Sequence, residues 1–416
     1  MTDKINSTRK KSLLIAVDIA KYKHIAMAEF NDGTKSKMTF DNSAQGFALF
    51  EERFKIKEHD LQVAIEPTGD YHRSFAHFLI KKNVTLKQVN TLAMARIREA
   101  LHNSWDKNDP KDAQVILHML KNNHTQTFYD YSETNIGGLK ELAGLHFRLT
   151  KTKTKLQHTI LNHYFPLYFP EGKNYFQGSK VRWFSRFLQH YPLPACVLQT
   201  TEDQFVKDAW DYLHRVPYRD RILRSFYKAC ESTIGIPVAS NSLEAQSMKA
   251  AFEDHCSLMD RLKLIENQVC EVLKEDRQFQ ILISIPGVGP ISALNIIAES
   301  GNIKRFKHSK QYLKYMGLNL CSSQSGTYQS QKSISKRGNS RLRSMLWMCT
   351  KSAIYSASAD NPFKSKYAKK VRGNPENKDI KRVALSACTA KMACLIHTLI
   401  RKDLEYRLPC EVLPSR

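Results

Sequence analysis

The sequence has no CxxC pair, no HExxH and no comparable histidine spacing. Its 9 cysteines are scattered, the nearest two being Cys388 and Cys394, so they read as small core residues of a reducing compartment. A zinc site and a disulfide framework are both excluded on that pattern. Any metal is then expected to be held by oxygen, which points to magnesium or manganese. Long apolar runs are missing too, and none approaches the length that spans a bilayer. The one N-terminal apolar stretch, LLIAVDIA, is interrupted by Asp18 and lacks a small-residue cleavage site, so no signal peptide is read. These absences predict a soluble, cytoplasmic chain that does not engage a membrane. There is no internal repeat and no low-complexity segment. Acid is the last shortage: 40 Asp and Glu stand against 64 Lys and Arg, leaving a net charge of +24. A polyanion is the natural partner of such a chain. Nucleic acid is preferred to an anionic membrane surface, because no long amphipathic basic helix is present.

What acid there is falls in telling places. Asp109 and Asp112 lie three residues apart in WDKNDPKDAQVIL, at the start of a helix, and so share a face. Alone, this is well explained as an N-cap, a proline at the first helical position and an acid favoured by the helix dipole. Asp18 and Glu66 change the balance. Each ends an apolar run, LLIAVDIA and LQVAIEPTG, where a buried strand passes into a loop. Four carboxylates from two strand ends and a helix start can converge on one metal.

A chain of 416 residues has room for two or three domains with cores of their own. Residues 12–131 follow a basic tail, 1–11, and read as strands over 12–19, 23–30 and 35–40, with Asn31, Asp32 and Gly33 as a hairpin turn. A helix over 44–54, a strand over 61–65, a helix over 71–82 and a strand over 85–89 come next. That order matches a ribonuclease H-like α/β fold, in which the first strand lies beside a later central one and brings Asp18 near Glu66. Residues 132–278 read as helical. Leu258, Leu262, Ile265, Val269 and Val272 form a seam for pairing either between subunits or within one bundle. The aromatic stretch between, with Trp183, Phe184, Phe187 and Trp210, is expected to pack as core, with a stacking surface for nucleic acid as the alternative.

Residues 279–403 include IPGVGP, where Gly287 and Gly289 mark a helix-hairpin-helix turn whose freed amides suit a DNA phosphate, a plain glycine-rich turn between packed helices being the alternative; a tail over 404–416 closes the chain. Lys332, Lys336, Arg337, Arg341 and Arg343 then form a basic segment, either a phosphate-backbone contact or a solvated face.

Asp18, Glu66, Asp109 and Asp112, in the contexts VDIAK, IEPTG and KNDPKDA, resemble the DEDD signature of insertion-sequence transposases related to Piv-type invertases. IPGVGP, YMGL, QSG and ISKRGNSRLR resemble the C-terminal transposase domain of the same family, in the same order. Asn108 departs from the Thr of many relatives, and the middle helical region is longer than usual. The resemblance implies a RuvC-like metal site binding Mg2+ or Mn2+, and a mostly helical C-terminal domain. It also implies a nucleophilic serine, which by position in QSG is Ser325, forming a phosphoserine link to DNA. The expected partners are double-stranded donor and target DNA, a structured bridge RNA, and further copies of the chain in a homo-oligomer. The setting is prokaryotic and nucleoid-associated. Two other classes stay open: a RuvC-like nuclease using water, which would survive Ser325→Ala, and a non-enzymatic nucleic-acid binder, which would tolerate loss of Asp18.

Overall fold

The computed structural model describes residues 12–56, 58–102, 109–128, 136–178, 181–213, 217–322, 324–325, 328–329, 333–358 and 360–407. The chain divides into two compact units, Met1–Thr134 and Asn135–Arg416.

The first unit is a six-stranded sheet flanked by helices. Its elements run β1 (Ser12–Asp18), β2 (Lys23–Phe30), β3 (Lys35–Asp41), α1 (Ala44–Phe54), β4 (Asp60–Ile65), α2 (His72–Lys81), β5 (Thr85–Gln88), α3 (Thr91–His102), α4 (Asp109–Lys121) and β6 (Gln126–Thr127). The strand order is β3-β2-β1-β4-β5-β6. β1 runs antiparallel to β2 and parallel to β4, with Val17 opposite Ile65. The three-strand meander followed by parallel β4 and β5 is the order expected from the sequence.

Period-two alternation sorts the strand residues between two cores. Leu13, Ile15 and Val17 of β1, with Leu61, Val63 and Ile65 of β4, pack with Phe47, Phe50 and Phe54 of α1 and with Phe75 and Leu79 of α2. Ala16 and Ala64 face the other way, into a core made with Ala113, Val115, Ile116, Leu117, Met119 and Leu120 of α4. Small alanines on that face let α4 come close to the sheet. α1 forms where Ser43 caps it, accepting from the Gly46 amide at 3.1 Å, and stops where Lys55 turns left-handed at φ 43°.

In the second unit, α5 (Ile136–Thr159) runs through a π-helical turn, Ile160–Tyr164, into the short α6 (Phe165–Tyr168). After these come α7 (Val181–His190), α8 (Pro194–Val197), α9 (Glu202–Ala209), α10 (Arg219–Glu231) and the long α11 (Leu243–Leu273). Phe165, Phe169, Phe176, Phe184, Phe187, Phe205, Phe226 and Phe252 build one aromatic core. Core packing, as expected, is the role of Phe184 and Phe187, while Trp210 stays 39% exposed.

The expected seam on α11 needs correction. Ile265, Val269 and Leu273 are buried at a spacing of four, but Val272 is 61% exposed. The upstream Met248, Ala251 and Phe252 enter the aromatic core, whereas Ile265, Val269 and Leu273 join the core of the C-terminal helices. α11 therefore ties the two cores of this unit together, packing on α5 and α7.

The C-terminal helices are α12 (Arg277–Ile283), α13 (Pro290–Ser300), α14 (Ser309–Met316), α15 (Ser340–Tyr355), α16 (Pro362–Val371) and α17 (Lys378–Lys402). Between α14 and α15 lie four two-residue strands, β7 (Leu320–Cys321), β8 (Gln324–Ser325), β9 (Tyr328–Gln329) and β10 (Ser333–Ile334). α17 also corrects the expectation that no stretch reaches bilayer length. It holds an 18-residue window of mean hydropathy 1.6, half of it buried. Leu385, Cys388, Met392, Ala393, Ile396 and Ile400 belong to the core of this unit, which accounts for the apolarity.

Candidate active site and nucleic-acid face

The alternation that builds the first unit also places its acids. Asp18 follows Ala16 by two positions on β1, and Glu66 follows Ala64 by two positions at the end of β4. Both therefore belong to the face covered by α4, at the same level of two parallel neighbouring strands. Asp112 is buried on α4, one turn before Val115 and Ile116, which face the sheet. Asp109 is the first residue of that helix, and its side chain lies outside the described residues. Among the described residues no three His, Cys, Asp or Glu side chains draw together into a metal-binding group. Asp112 instead meets Arg98 of α3, with Nε 2.6 Å from Oδ1 and the two side chains 17% and 2% exposed. Sequence reasoning misses this arginine. Its signal there is only a basic residue inside an amphipathic helix ahead of the acids.

The loop after Asp18 is clasped from within. The Ala20 amide donates to Nδ1 of His24 at 3.3 Å. The His24 ring is fully buried against Phe40, Phe47 and Phe75. Burial lowers its pKa, which the Asn42 side chain partly opposes, and the neutral ring can accept that amide.

Ser325 lies in the second unit. On β8 it pairs with Tyr328 of β9, while Cys321 of β7 pairs with Ser333 of β10 below. Its side chain is outside the described residues, as is the whole of Lys332. The base of this two-tiered arm is laced to the end of α14. Lys336 N donates to Gly317 O at 2.9 Å, Asn339 N to Tyr315 O at 2.8 Å and Ser335 N to Asn319 O at 2.9 Å. Gly317 is left-handed at φ +70°, and a Cβ there would stand 2.8 Å from the Arg337 amide nitrogen. Glu299 of α13, which carries no signal in the sequence, anchors the same base. Its carboxylate accepts from Asn339 Nδ2 at 2.8 Å and lies 3.7 Å from Arg341 Nη1, and its backbone carbonyl accepts from the Tyr315 hydroxyl at 2.8 Å.

The basic segment divides by role. Lys336 and Arg337 are exposed. Arg341 is tethered by Glu299 and sits over the Phe147 ring at 5.6 Å. Arg343 is half-buried and donates to the Met316 carbonyl at 2.6 Å, so in this structure it buttresses α14. The two glycines divide as well. A Cβ on Gly287, at φ +85°, would stand 2.3 Å from the Cys349 carbonyl oxygen, so close contact with α15 explains this residue. Gly289 is exposed, has open space around it and caps α13 ahead of Pro290. A further basic group, on α16 and the start of α17, has no motif to mark it. Lys369, Lys370, Arg372 and Lys378 are exposed there, while Lys364 and Lys366 donate to the carbonyls of Ala357 and Ala387.

Residues 15–170 match a family model named DEDD_Tnp_IS110 and described as a transposase. Residues 279–368 match one described as the transposase IS116/IS110/IS902 family. A probable family 20 transposase of Pseudomonas aeruginosa is 26% identical over 151 residues, 36% of this chain and 44% of the relative. The transposase for insertion sequence element IS1111A of Coxiella burnetii is 30% identical over 142 residues, 34% of this chain and 38% of the relative. An uncharacterized 44.8 kDa protein of insertion element IS116 from Streptomyces clavuligerus is 22% identical over 369 residues, 88% of this chain and 89% of the relative. The matched stretches thus span less than half of the first two relatives and most of the third.

Proposed function

We propose that this chain, whose residues 15–170 and 279–368 match a DEDD transposase model and a model of the transposase IS116/IS110/IS902 family, is a DNA transposase or site-specific recombinase of a mobile insertion sequence. The reading rests on one observation above the others. Asp18, Glu66 and Asp112 all belong to the α4 face of the first unit, in a chain that also presents Ser325 on a braced arm.

The donor set is all carboxylate oxygen, which suits Mg2+ or Mn2+. Asp18, Glu66, Asp109 and Asp112 would hold the ion, and when bound it would supply Lewis-acid neutralisation of charge at the reacting phosphate. Ser325 is the proposed nucleophile. Its oxygen forms a bond to phosphorus as the bond from phosphorus to one deoxyribose oxygen breaks, and the serine proton leaves to a base. The phosphoserine link conserves the phosphodiester, so an incoming strand's hydroxyl reverses the step and releases the serine. Lys336, Arg337, Lys369, Lys370 and Arg372 contribute positive charge for the DNA backbone, and Gly289 an exposed helix start. Strand exchange between donor and target DNA needs more than one active centre, hence a homo-oligomer. A structured bridge RNA as guide is part of the same reading, taken from the family resemblance.

The test is a covalent-adduct assay. Protein co-expressed with its flanking non-coding DNA is mixed with donor and target duplexes and Mg2+, then resolved on denaturing gels. An adduct formed by the native protein and lost in both Ser325→Ala and Asp18→Ala is the expected result. Cleavage that survives Ser325→Ala but not Asp18→Ala, with no adduct, would replace the recombinase with a nuclease that uses water.

A further inference from the structure

The Asp112 carboxylate is buried, and its contact with Arg98 has an odd geometry. Nε and Oδ1 are 2.6 Å apart, yet each of these two buried atoms lacks an aligned hydrogen bond. A buried ion pair is favourable when its hydrogen bonds are aligned, because that geometry offsets the desolvation of both charges. Here the contact is one of charge and confinement alone. Arginine cannot lose its proton inside a protein, so Arg98 keeps a positive charge beside Asp112 while it stays in place. It also occupies the carboxylate oxygen that faces it. Asp18 and Glu66 share the α4 face with Asp112, but the described acids do not gather into a group of three.

We propose that Arg98 is the resident counter-cation of Asp112 and competes with the divalent ion for it. Arg98 is then a positioning residue: it holds the buried carboxylate in place before the metal arrives, and must move aside for Asp112 to become a ligand. α3 is the element that carries the motion, since Arg98 belongs to it and it packs on α4. The inference rests on the reading that these acids hold a divalent cation. If the arginine-in arrangement holds about nine-tenths of the metal-free molecules, the apparent affinity for metal is weakened about tenfold, because only the remainder is competent.

The experiment is a Mn2+ titration of the full chain without DNA, with free Mn2+ read by electron paramagnetic resonance. Native protein, Arg98→Gln, Arg98→Lys and Asp112→Asn are compared at pH 8.5, where carboxylates are ionised. Arg98→Gln is expected to bind Mn2+ about tenfold more tightly than native protein. Arg98→Lys, which keeps the charge, stays within about threefold of native, and Asp112→Asn binds more weakly than either. Weaker binding in Arg98→Gln than in native protein would make Arg98 a structural support and overturn the proposal. Mn2+ affinity indifferent to Asp18→Asn, Glu66→Gln and Asp112→Asn alike would instead remove the metal reading itself. Should Arg98→Gln fail to fold, a crystal structure of native protein grown with Mn2+ decides. An Arg98–Asp112 separation opened beyond salt-bridge distance supports the competition, and a pair unmoved at 2.6 Å beside a bound ion refutes it.

Discussion

The acid face and the serine arm are held by different means. Asp18 and Glu66 extend strands of a six-stranded sheet whose neighbours are buried on both sides, and Asp112 is itself inside the core. Ser325 sits on ladders two residues long, and its order comes from below, where Gly317 and Asn339 lock the base of the arm to α14. If these carboxylates share a cation, as proposed, they repel one another until it binds, and a stiff frame keeps them on one face. If Ser325 is the nucleophile, as proposed, it needs reach to a scissile phosphate more than enclosure. The difference teaches that one chain can hold side chains by two kinds of preorganisation: burial in a packed sheet, and backbone bonds at the base of an arm.

The largest effect expected from this comparison is on chemistry without loss of fold. Asp18→Asn and Glu66→Gln should each reduce adduct formation by about a thousandfold, as removal of a group that stabilises developing charge does. Melting temperature should stay close to native, because both acids sit at strand ends. A variant that unfolds instead would mean that the acids support the sheet.

Next is the brace. Gly287→Ala puts a Cβ 2.3 Å from the Cys349 carbonyl oxygen at a backbone angle of φ +85°. A destabilisation of about 3 kcal/mol is expected from overlap with backbone and from the strained conformation, measured by chemical unfolding. A cost under about 1 kcal/mol would show that the turn and α15 can separate without loss.

Acid should weaken both units in the same direction. His255 is fully buried, its Nδ1 lies 3.0 Å from Ser185 Oγ, and burial pushes its pKa down to about 4, with Lys153 adding to the fall. A histidine held neutral in the fold, with its pKa below the unfolded value of 6.5, contributes stability that is complete above pH 6.5 and lost as pH falls toward about 4. The aromatic core should therefore lose on the order of 2 kcal/mol across that window, followed by the fluorescence of its tryptophans during unfolding. His24 is shifted the same way in the first unit, so its protonation should also release the Ala20 amide beside Asp18. Stability flat between pH 7 and 4.5 would contradict both assignments.

The smallest effect is at the base of the arm. Glu299→Gln keeps an oxygen that can accept from Asn339 and loses only the pair with exposed Arg341, so its cost should stay within about 1 kcal/mol. A larger loss would mean that the arm depends on this charge.

Much of the first unit is legible in the order of its residues. Alternating apolar runs and the Asn31–Gly33 turn mark the strands, because period-two burial and turn chemistry are local properties. Asp18 and Glu66 stand out for the same reason, each ending an apolar run. Arg98 does not, since an arginine in an amphipathic helix looks the same whether it faces water or a buried carboxylate. The seam on α11 is only half legible: the spacing is present, but Val272 turns outward because the helix serves two cores in succession.

The sequence by itself determined the strand and helix order of the first unit, the net positive charge and the placing of Asp18 and Glu66 at the ends of apolar runs. These follow from side-chain chemistry and from periodicities that operate within a few residues. Tertiary structure alone decided that Asp18 and Glu66 end neighbouring parallel strands on one face. It also decided that Gly287 is reserved for α15, that Arg343 serves α14, and that Arg98 holds Asp112. Each of these is a contact between segments remote in the chain, and which remote groups meet is set by how the faces of whole elements are buried.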